Sequence, residues 1–532
     1  MIIDDPIVEF DFAGDSRVVL PVHPVLKAVS EKRNDVEIWG YFLDLEGRDN
    51  RLEEVLEMLE IKNWDFFSSI SANFCFWVRF EVTKEMFVIV DYLGSFPMYY
   101  SIVSAKKLVF SPMASKVLDY IKILKVDEFQ MLRLVAREPS LTSDTFFKEV
   151  KQIYPGCVLR VDSSMRVEVK SYLEMYRGFD EKDSIVTLQQ FFEGLLELLD
   201  EVFEGYKKII GELGVAIDLT AGLDSTLVAY MSKKAGLSGV VGSTFEYLPP
   251  NNSENLEIIS EVANKYQLSY KLVDVKNYCE LFGDEFFNWE DFPGIINKFP
   301  LAMYLSELFA MGKRIRITGH GGDELYSAKS ISEKHNYLPY LNYFDTVAKL
   351  KFGLGDVFSE KGTSILLDRD YYSKAEYFTN FLTTSALEIN LECFVPKWRL
   401  GMWTLSPLSD PRVVRYCYKL RGIDKNFSNL DFWKKIGPTI HTERQLAGST
   451  KPDYTKNDNE RLREKKDYIV ERLSKSVIRN LGLFQYGKII EDLTEGRLEK
   501  YFSYDAMFYL INFIKMDHYL EHEMKLKQIN FS

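Results

Sequence analysis

Between residues 70 and 111 the apolar positions come in short runs broken by turn formers. Asn73–Phe80 reads as one apolar strand, Phe87–Asp91 as a second and Lys107–Ser111 as a third, with Gly94 and Pro97 between them. Long helical patterns are few in this part, which predicts a sheet-rich α+β domain. The period changes at Leu188. Leu188, Phe191, Phe192, Leu195, Leu199 and Val202 recur at helical spacing, and Gly211 and Gly214 close the pattern. Strand and helix then alternate: strand Val215–Leu219, helix Ser225–Lys234, strand Gly239–Phe245, helix Ser253–Lys265 and strand Tyr270–Asp274. Such alternation predicts βαβ units and a doubly wound parallel sheet. A later strand, Arg314–Thr318, runs directly into a glycine-rich turn. Beyond residue 330 the pattern is largely helical, and Met507, Leu510, Ile511 and Ile514 share one helical face. No internal repeat, heptad array or low-complexity tract interrupts the chain.

At 532 residues the chain is too long for one hydrophobic core, so two or three domains are expected. The polar stretch from Arg177 to Ser184 reads as the linker. It divides the chain into residues 1–178 and 185–532, the latter ending in a helical tail at 456–532. Apolar content of 46% with 27% charged residues is that of a globular protein. A net charge of -13 speaks against a nucleic-acid partner, which needs a basic face. No apolar run reaches the ~18 residues of a membrane span, and the acidic start does not read as a secretory signal. Five scattered cysteines without a CxxC pair suggest reduced thiols in a cytoplasm and no zinc site.

Candidate chemistry sits in two loops. Asp218-Leu-Thr-Ala-Gly-Leu-Asp-Ser225 follows a buried strand and opens a helix. Ala221 and Gly222 permit close backbone approach. Thr220 and Ser225 offer hydroxyls, and the helix start offers N–H groups and a positive dipole end. That combination suits a pyrophosphate, with Asp224 tolerable beside it through a bridging Mg²⁺. A plain strand-to-helix turn is the bland alternative. The GxxxxGK[ST] pattern of P-loop NTPases is absent. The second loop, Thr318-Gly-His-Gly-Gly-Asp-Glu-Leu-Tyr326, also follows a strand. Gly319, Gly321 and Gly322 allow close approach, and Asp323 offers a second carboxylate to the same metal. Ligands of open parallel sheets bind at this carboxyl edge, so the pair predicts a Mg²⁺–nucleotide site.

These loops resemble the SGGxDS and SGxGxDEL segments of the asparagine synthetase superfamily, with Thr220 and Ala221 replacing a serine and a glycine. The resemblance implies a C-terminal domain of the adenine nucleotide alpha-hydrolase (PP-loop) type. It implies ATP and Mg²⁺ as cofactors and AMP-forming chemistry. Leu219–Ser225, Gly319, Gly321 and Gly322 would hold the phosphates, Asp224 and Asp323 the metal, and Ser243, Thr244 and Phe245 the adenine beside Leu219. Leu405–Pro411 resembles the family's PFLD segment. Phe87–Asp91 with Gly94, Pro97, Tyr99 and Tyr100, and the Tyr154–Gly156 turn, resemble the family's N-terminal-nucleophile (Ntn) glutaminase. That enzyme needs a cysteine directly after the initiator methionine, where Ile2 stands. A degenerate, glutaminase-dead Ntn-hydrolase-like domain is expected.

Nitrogen would then come from free ammonia or from a substrate amine. His320 stands where asparagine synthetases carry glutamate and β-lactam synthetases tyrosine. There it could take a proton from an attacking amine, or simply bond a phosphate or space the turn. The family stabilises the oxyanion with a lysine on a late loop. Lys451 in Gly448–Asp453 is the candidate, with Lys434 and Lys435 as competitors. Glu324 would orient His320 or the lysine, or cap the following helix. The ensemble is similar to lasso-peptide macrolactam synthetases. Macrolactam closure is therefore the leading expectation, with a carboxylate-bearing precursor peptide and its processing protease as partners. Ammonia-dependent asparagine synthesis or amidation of another carboxylate is the alternative. A catalytically dead nucleotide-binding scaffold is the alternative of another class.

Overall fold

The computed structural model describes residues 3–12, 16–136, 143–172, 187–237, 241–246, 253–274, 299–322, 355–368, 394–417, 429–448, 462–497 and 504–531. The predicted linker lies outside them.

The N-terminal part builds two antiparallel sheets. Its strands are β1 (Ile7–Asp11), β2 (Arg17–Val19), β3 (Lys27–Arg33), β4 (Val36–Asp44), β5 (Ala72–Phe80), β6 (Glu85–Val90), β7 (Met98–Ser104), β8 (Lys107–Ser111), β9 (Ile123–Val126), β10 (Lys151–Ile153), β11 (Cys157–Val161) and β12 (Val167–Ser171). One sheet runs β10-β7-β8-β1-β2 and the other β12-β11-β6-β5-β4-β3. Both faces of β5 and β6 are buried, so these strands read as unbroken apolar runs rather than alternating ones. Phe10 and Phe110 of the first sheet share one apolar cluster with Phe76 and Val88 of the second.

The C-terminal part builds a five-stranded parallel sheet. Its strands are β13 (Gly214–Asp218), β14 (Val241–Glu246), β15 (Ser269–Asp274), β16 (Lys313–Ile317) and β17 (Trp403–Leu405), in the order β15-β14-β13-β16-β17. Every neighbouring pair is parallel. Successive side chains of a strand point to opposite faces, and β13 shows both being covered. Val215 and Ile217 pack in the cluster that holds Leu195, Leu199, Leu227 and Met231. Ala216 packs with Tyr304, Leu305 and Leu308. Helices Leu188–Ile210 and Leu223–Lys234 thus cover one face and helix Phe299–Ala310 the other. This is the doubly wound arrangement that the alternation predicts.

The two parts meet around β17. Trp403 Nε1 donates to Asn73 Oδ1 at 2.9 Å, and Ser71 Oγ donates to Asp410 Oδ2 at 2.5 Å. Lys397 Nζ donates to the Ser95 carbonyl at 3.2 Å.

The last helix of the tail, Tyr504–Leu526, packs on the helix Glu128–Val135, with Asn512 Nδ2 donating to the Val135 carbonyl. The following strand β18 (Gln528–Phe531) pairs in parallel with β9. Leu510, Ile511 and Ile514 of this last helix are buried. Asn512, Lys515 and Asp517 are buried as well, because this stretch is enclosed on all sides. Among the described residues no helix is long and apolar enough to cross a membrane. Cys75, Cys157 and Cys417 are free and buried, as core-packing cysteines should be.

Candidate active site

The loop after β13 and the loop after β16 leave neighbouring parallel strands at their carboxyl ends. A buried ion pair fixes the two strand ends against each other. Arg316 on β16 donates from Nε to Asp218 Oδ1 at 2.9 Å and from Nη2 to Oδ2 at 2.5 Å. The Tyr304 hydroxyl donates to Oδ1 at 2.8 Å. Burial pushes the Asp218 carboxyl up, but the guanidinium more than offsets this and holds it below its ordinary value. Neither Arg316 nor Tyr304 was singled out from sequence. The available signal was the alternation of arginine and isoleucine, Arg314-Ile-Arg-Ile317, in a strand otherwise expected to be buried.

Within the first loop the side chains of Thr220 and Ser225 lie 2.8 Å apart. Ser225 Oγ receives the Thr220 N–H at 3.2 Å, and Thr220 Oγ1 receives the Gly222 N–H at 3.1 Å. Thr226 Oγ1 donates to the Gly222 carbonyl at 3.0 Å. The loop is therefore a closed ring of short-range hydrogen bonds around the start of helix Leu223–Lys234. Asp224 sits in the first helical turn, where a carboxylate complements the helix dipole. Leu219 is wholly buried beneath the loop with Ala229 and Ile258. Its side chain supports the loop from the core.

The second loop lies directly on the first. A Cβ at Gly319 would fall 2.9 Å from the Ser225 nitrogen, and one at Gly322 only 2.2 Å from the Asp224 carboxyl carbon. These glycines are needed for contact between the loops themselves. Gly321 has φ +99°, and a Cβ there would meet Ser409 Oγ at 2.3 Å. Ser409 Oγ donates to the His320 carbonyl at 3.1 Å, and the Thr318 N–H donates to the Leu405 carbonyl at 3.0 Å. The turn Leu405–Pro411 is thus the third wall of the site. The half-buried His320 touches the Thr318 hydroxyl through Nδ1.

Asp224 and His320 are brought together at one sheet edge with Thr220, Ala221, Gly222, Leu223 and Ser225. Ser243, Thr244 and Phe245 lie on β14, beside β13, with Ser243 paired to Asp218. Asp323, Glu324 and Lys451 lie outside the described residues. Lys434 and Lys435 lie in the last turn of helix Asn429–Ile436.

Residues 50–173 match the profile of a glutamine amidotransferase domain. An "Amidase chyE" of Penicillium rubens is 23% identical over 340 residues, 58% of this chain and 49% of that protein. An "NH(3)-dependent NAD(+) synthetase" of Pyrococcus horikoshii is 24% identical over 156 residues, 28% of this chain and 60% of that protein. The chain thus spans about half the length of the first of these curated relatives and three fifths of the second. Among solved structures, the U34-tRNA thiolase NcsA of Methanococcus maripaludis aligns with a TM-score of 0.22 at 15% identity, covering 49% of this chain and 89% of that one.

Cys75 and Cys157, the described cysteines within residues 50–173, are both buried. Burial pushes the Cys157 thiol up to about 12 and raises those of Cys75 and Cys417 as well. A protonated, enclosed thiol attacks poorly.

Proposed function

We propose that this chain is an ATP-dependent ligase that activates a carboxylate as an acyl-adenylate, releases pyrophosphate, and forms an amide as AMP leaves. The observation that carries this reading is the convergence of two glycine-bearing strand-end loops, with Gly319 and Gly322 seated on Ser225 and Asp224. An open parallel sheet places its ligand at this edge. The hydroxyls of Thr220 and Ser225 and the helix start present donors suited to a pyrophosphate group. Asp224, with Asp323 directly after Gly322 in sequence, would hold Mg²⁺, which supplies neutralisation of phosphate charge. The similarity to an amidase and to an ammonia-dependent synthetase agrees with this class of reaction.

The N-terminal sheets are a degenerate Ntn-hydrolase-like domain that no longer releases ammonia from glutamine. The enclosed, protonated state of its described thiols supports this. The nitrogen then comes from an amine on the substrate. His320 accepts the proton from that amine and Lys451 neutralises the tetrahedral oxyanion. Closure of a peptide macrolactam, with a precursor peptide as substrate, is the specific form proposed. A second reading, free ammonia as donor, is favoured by the similarity to a synthetase described as NH3-dependent.

The test is ATP–pyrophosphate exchange with a panel of carboxylates, including peptides with Asp or Glu side chains. Exchange that needs a carboxylate and vanishes in Asp224→Ala supports the reading. Exchange with no member of the panel favours a non-catalytic nucleotide-binding protein.

A further inference from the structure

The first loop is also held from behind, by a residue far away in sequence. Gln445 lies in the short helix Glu443–Gly448 and is 2% exposed. Its Nε2 donates to Thr226 Oγ1 at 2.7 Å, to the Ala221 carbonyl at 3.0 Å and to the Gly222 carbonyl at 3.3 Å. Two amide hydrogens meet three acceptors, so one hydrogen is shared between the adjacent carbonyls. Gln445 Oε1 is used elsewhere. It accepts the Thr442 N–H at 3.0 Å, while Thr442 Oγ1 accepts the Gln445 N–H at 3.3 Å. This reciprocal pair is a capping box, which fixes the glutamine at the helix start.

The segment before that box is anchored in turn. Lys265 Nζ donates to the His441 carbonyl at 2.9 Å, and the Tyr266 hydroxyl donates to the Ile440 carbonyl. The Gln445 amide is therefore presented to the loop from a fixed platform. Its side chain spends both ends on backbone groups or on a hydroxyl that itself bonds the loop.

Peptide geometry gives this arrangement a consequence. In a planar trans peptide the C=O and the following N–H point in opposite directions. Pinning the Gly222 carbonyl toward Gln445 turns the Leu223 N–H to the opposite, ligand-facing side of the loop, while the Gly222 N–H stays within the loop on Thr220 Oγ1. Leu223 is the first helical residue, whose N–H has no acceptor within the helix. Gly222, next to it, is exposed.

We infer that Gln445 is a positioning residue for pyrophosphate recognition: it aims the Leu223 amide outward by holding the Gly222 carbonyl inward, and steadies the preceding turn through the Ala221 carbonyl. This rests on the adenylation reading for the identity of the ligand, and on the hydrogen-bond geometry for the role. The same reasoning gives Thr226 a share, since its hydroxyl relays Gln445 to the Gly222 carbonyl.

Two substitutions in the full-length protein separate this role from simple helix capping. Gln445→Glu keeps an acceptor for the Thr442 N–H and so keeps the capping box, but loses the donor. Gln445→Met loses both and adds no charge. The readouts are calorimetric titration with Mg²⁺–pyrophosphate, separate titration with adenosine, the KM values for ATP and pyrophosphate in exchange, and thermal unfolding. Both variants should bind pyrophosphate about tenfold or more weakly, as misplaced binding groups do, with adenosine affinity retained and Gln445→Glu melting near the wild type. Wild-type pyrophosphate affinity in Gln445→Glu, with lowered stability in Gln445→Met alone, would reduce Gln445 to a cap and overturn the inference. Wild-type protein that binds pyrophosphate but exchanges none would defeat the adenylation reading while leaving this test intact. Wild-type protein that binds no pyrophosphate would overturn both.

Discussion

Gly322 lies so close to Asp224 that a single methyl group at 322 would fall inside the carboxylate. Side chain and backbone from two loops share one volume, and only glycine leaves room for both. Gly322→Ala should therefore displace either Asp224 or the second loop. Because displacement of a binding group by about 1 Å can cost on the order of 100-fold, exchange activity should fall by at least tenfold with the fold intact by circular dichroism. Wild-type exchange in Gly322→Ala would show that this contact is not needed.

The buried pair Asp218–Arg316 makes a prediction about stability and pH. The folded-state pKa of Asp218 is depressed, so its contribution is complete above the unfolded value near about pH 4 and is lost as pH falls through the folded value. Arg316→Met leaves the carboxylate buried without its cation. Urea unfolding at neutral pH should show a loss of about 3–5 kcal/mol, and the variant should recover stability on acidification because a protonated Asp218 is tolerated. A loss below about 1 kcal/mol would contradict the assignment of this pair as the brace between the strand ends.

Asp91 carries the opposite sign. Burial pushes its carboxyl up to about 6, against the N–H groups of Ser95, Phe74 and Leu93 that favour the charged form. Its folded pKa is raised above the unfolded one, so stability should decline as pH rises from about 4 to about 6. Two pH units correspond to roughly 3 kcal/mol at most. Denaturant midpoints across that range should show this slope, and Asp91→Asn should flatten it. An unchanged slope in the variant would locate the titration elsewhere.

His320 and Asp224 are assigned to different half-reactions and can be separated. In His320→Ala, adenylation measured by exchange should persist, whereas amide formation should drop about 100-fold or more, the usual scale of a lost general base. Equal loss in both assays would make His320 a loop-shaping residue through its contacts with Thr318 and Ser409. Unchanged amide formation would remove the base role.

Much of this architecture was legible in sequence because local rules carry it. Leu188–Ile210 has an apolar stripe, β13 is a short apolar run, and each is punctuated by glycine. The glycines of both loops also advertise themselves, though sequence suggested that they approach a ligand, and structure shows Gly319 and Gly322 first approaching the other loop. The braces were hidden for a physical reason. Arg316 and Gln445 are polar residues in a basic strand and a polar helix, ordinary until folding brings Asp218 and Ala221 to them across 98 and 224 residues. The tail's packing was hidden likewise, since its buried polar residues find partners remote in sequence, as Asn512 to Val135 and Asp517 to Ser476 show.

The most direct test of the central claim is the identity of the nucleotide product. Incubation of the protein with ATP, Mg²⁺ and an accepted carboxylate and amine should yield AMP and pyrophosphate in equal amounts with the amide, resolved by anion-exchange chromatography. ADP and inorganic phosphate in their place would mean that the carboxylate is activated by phosphorylation, and would contradict the acyl-adenylate account.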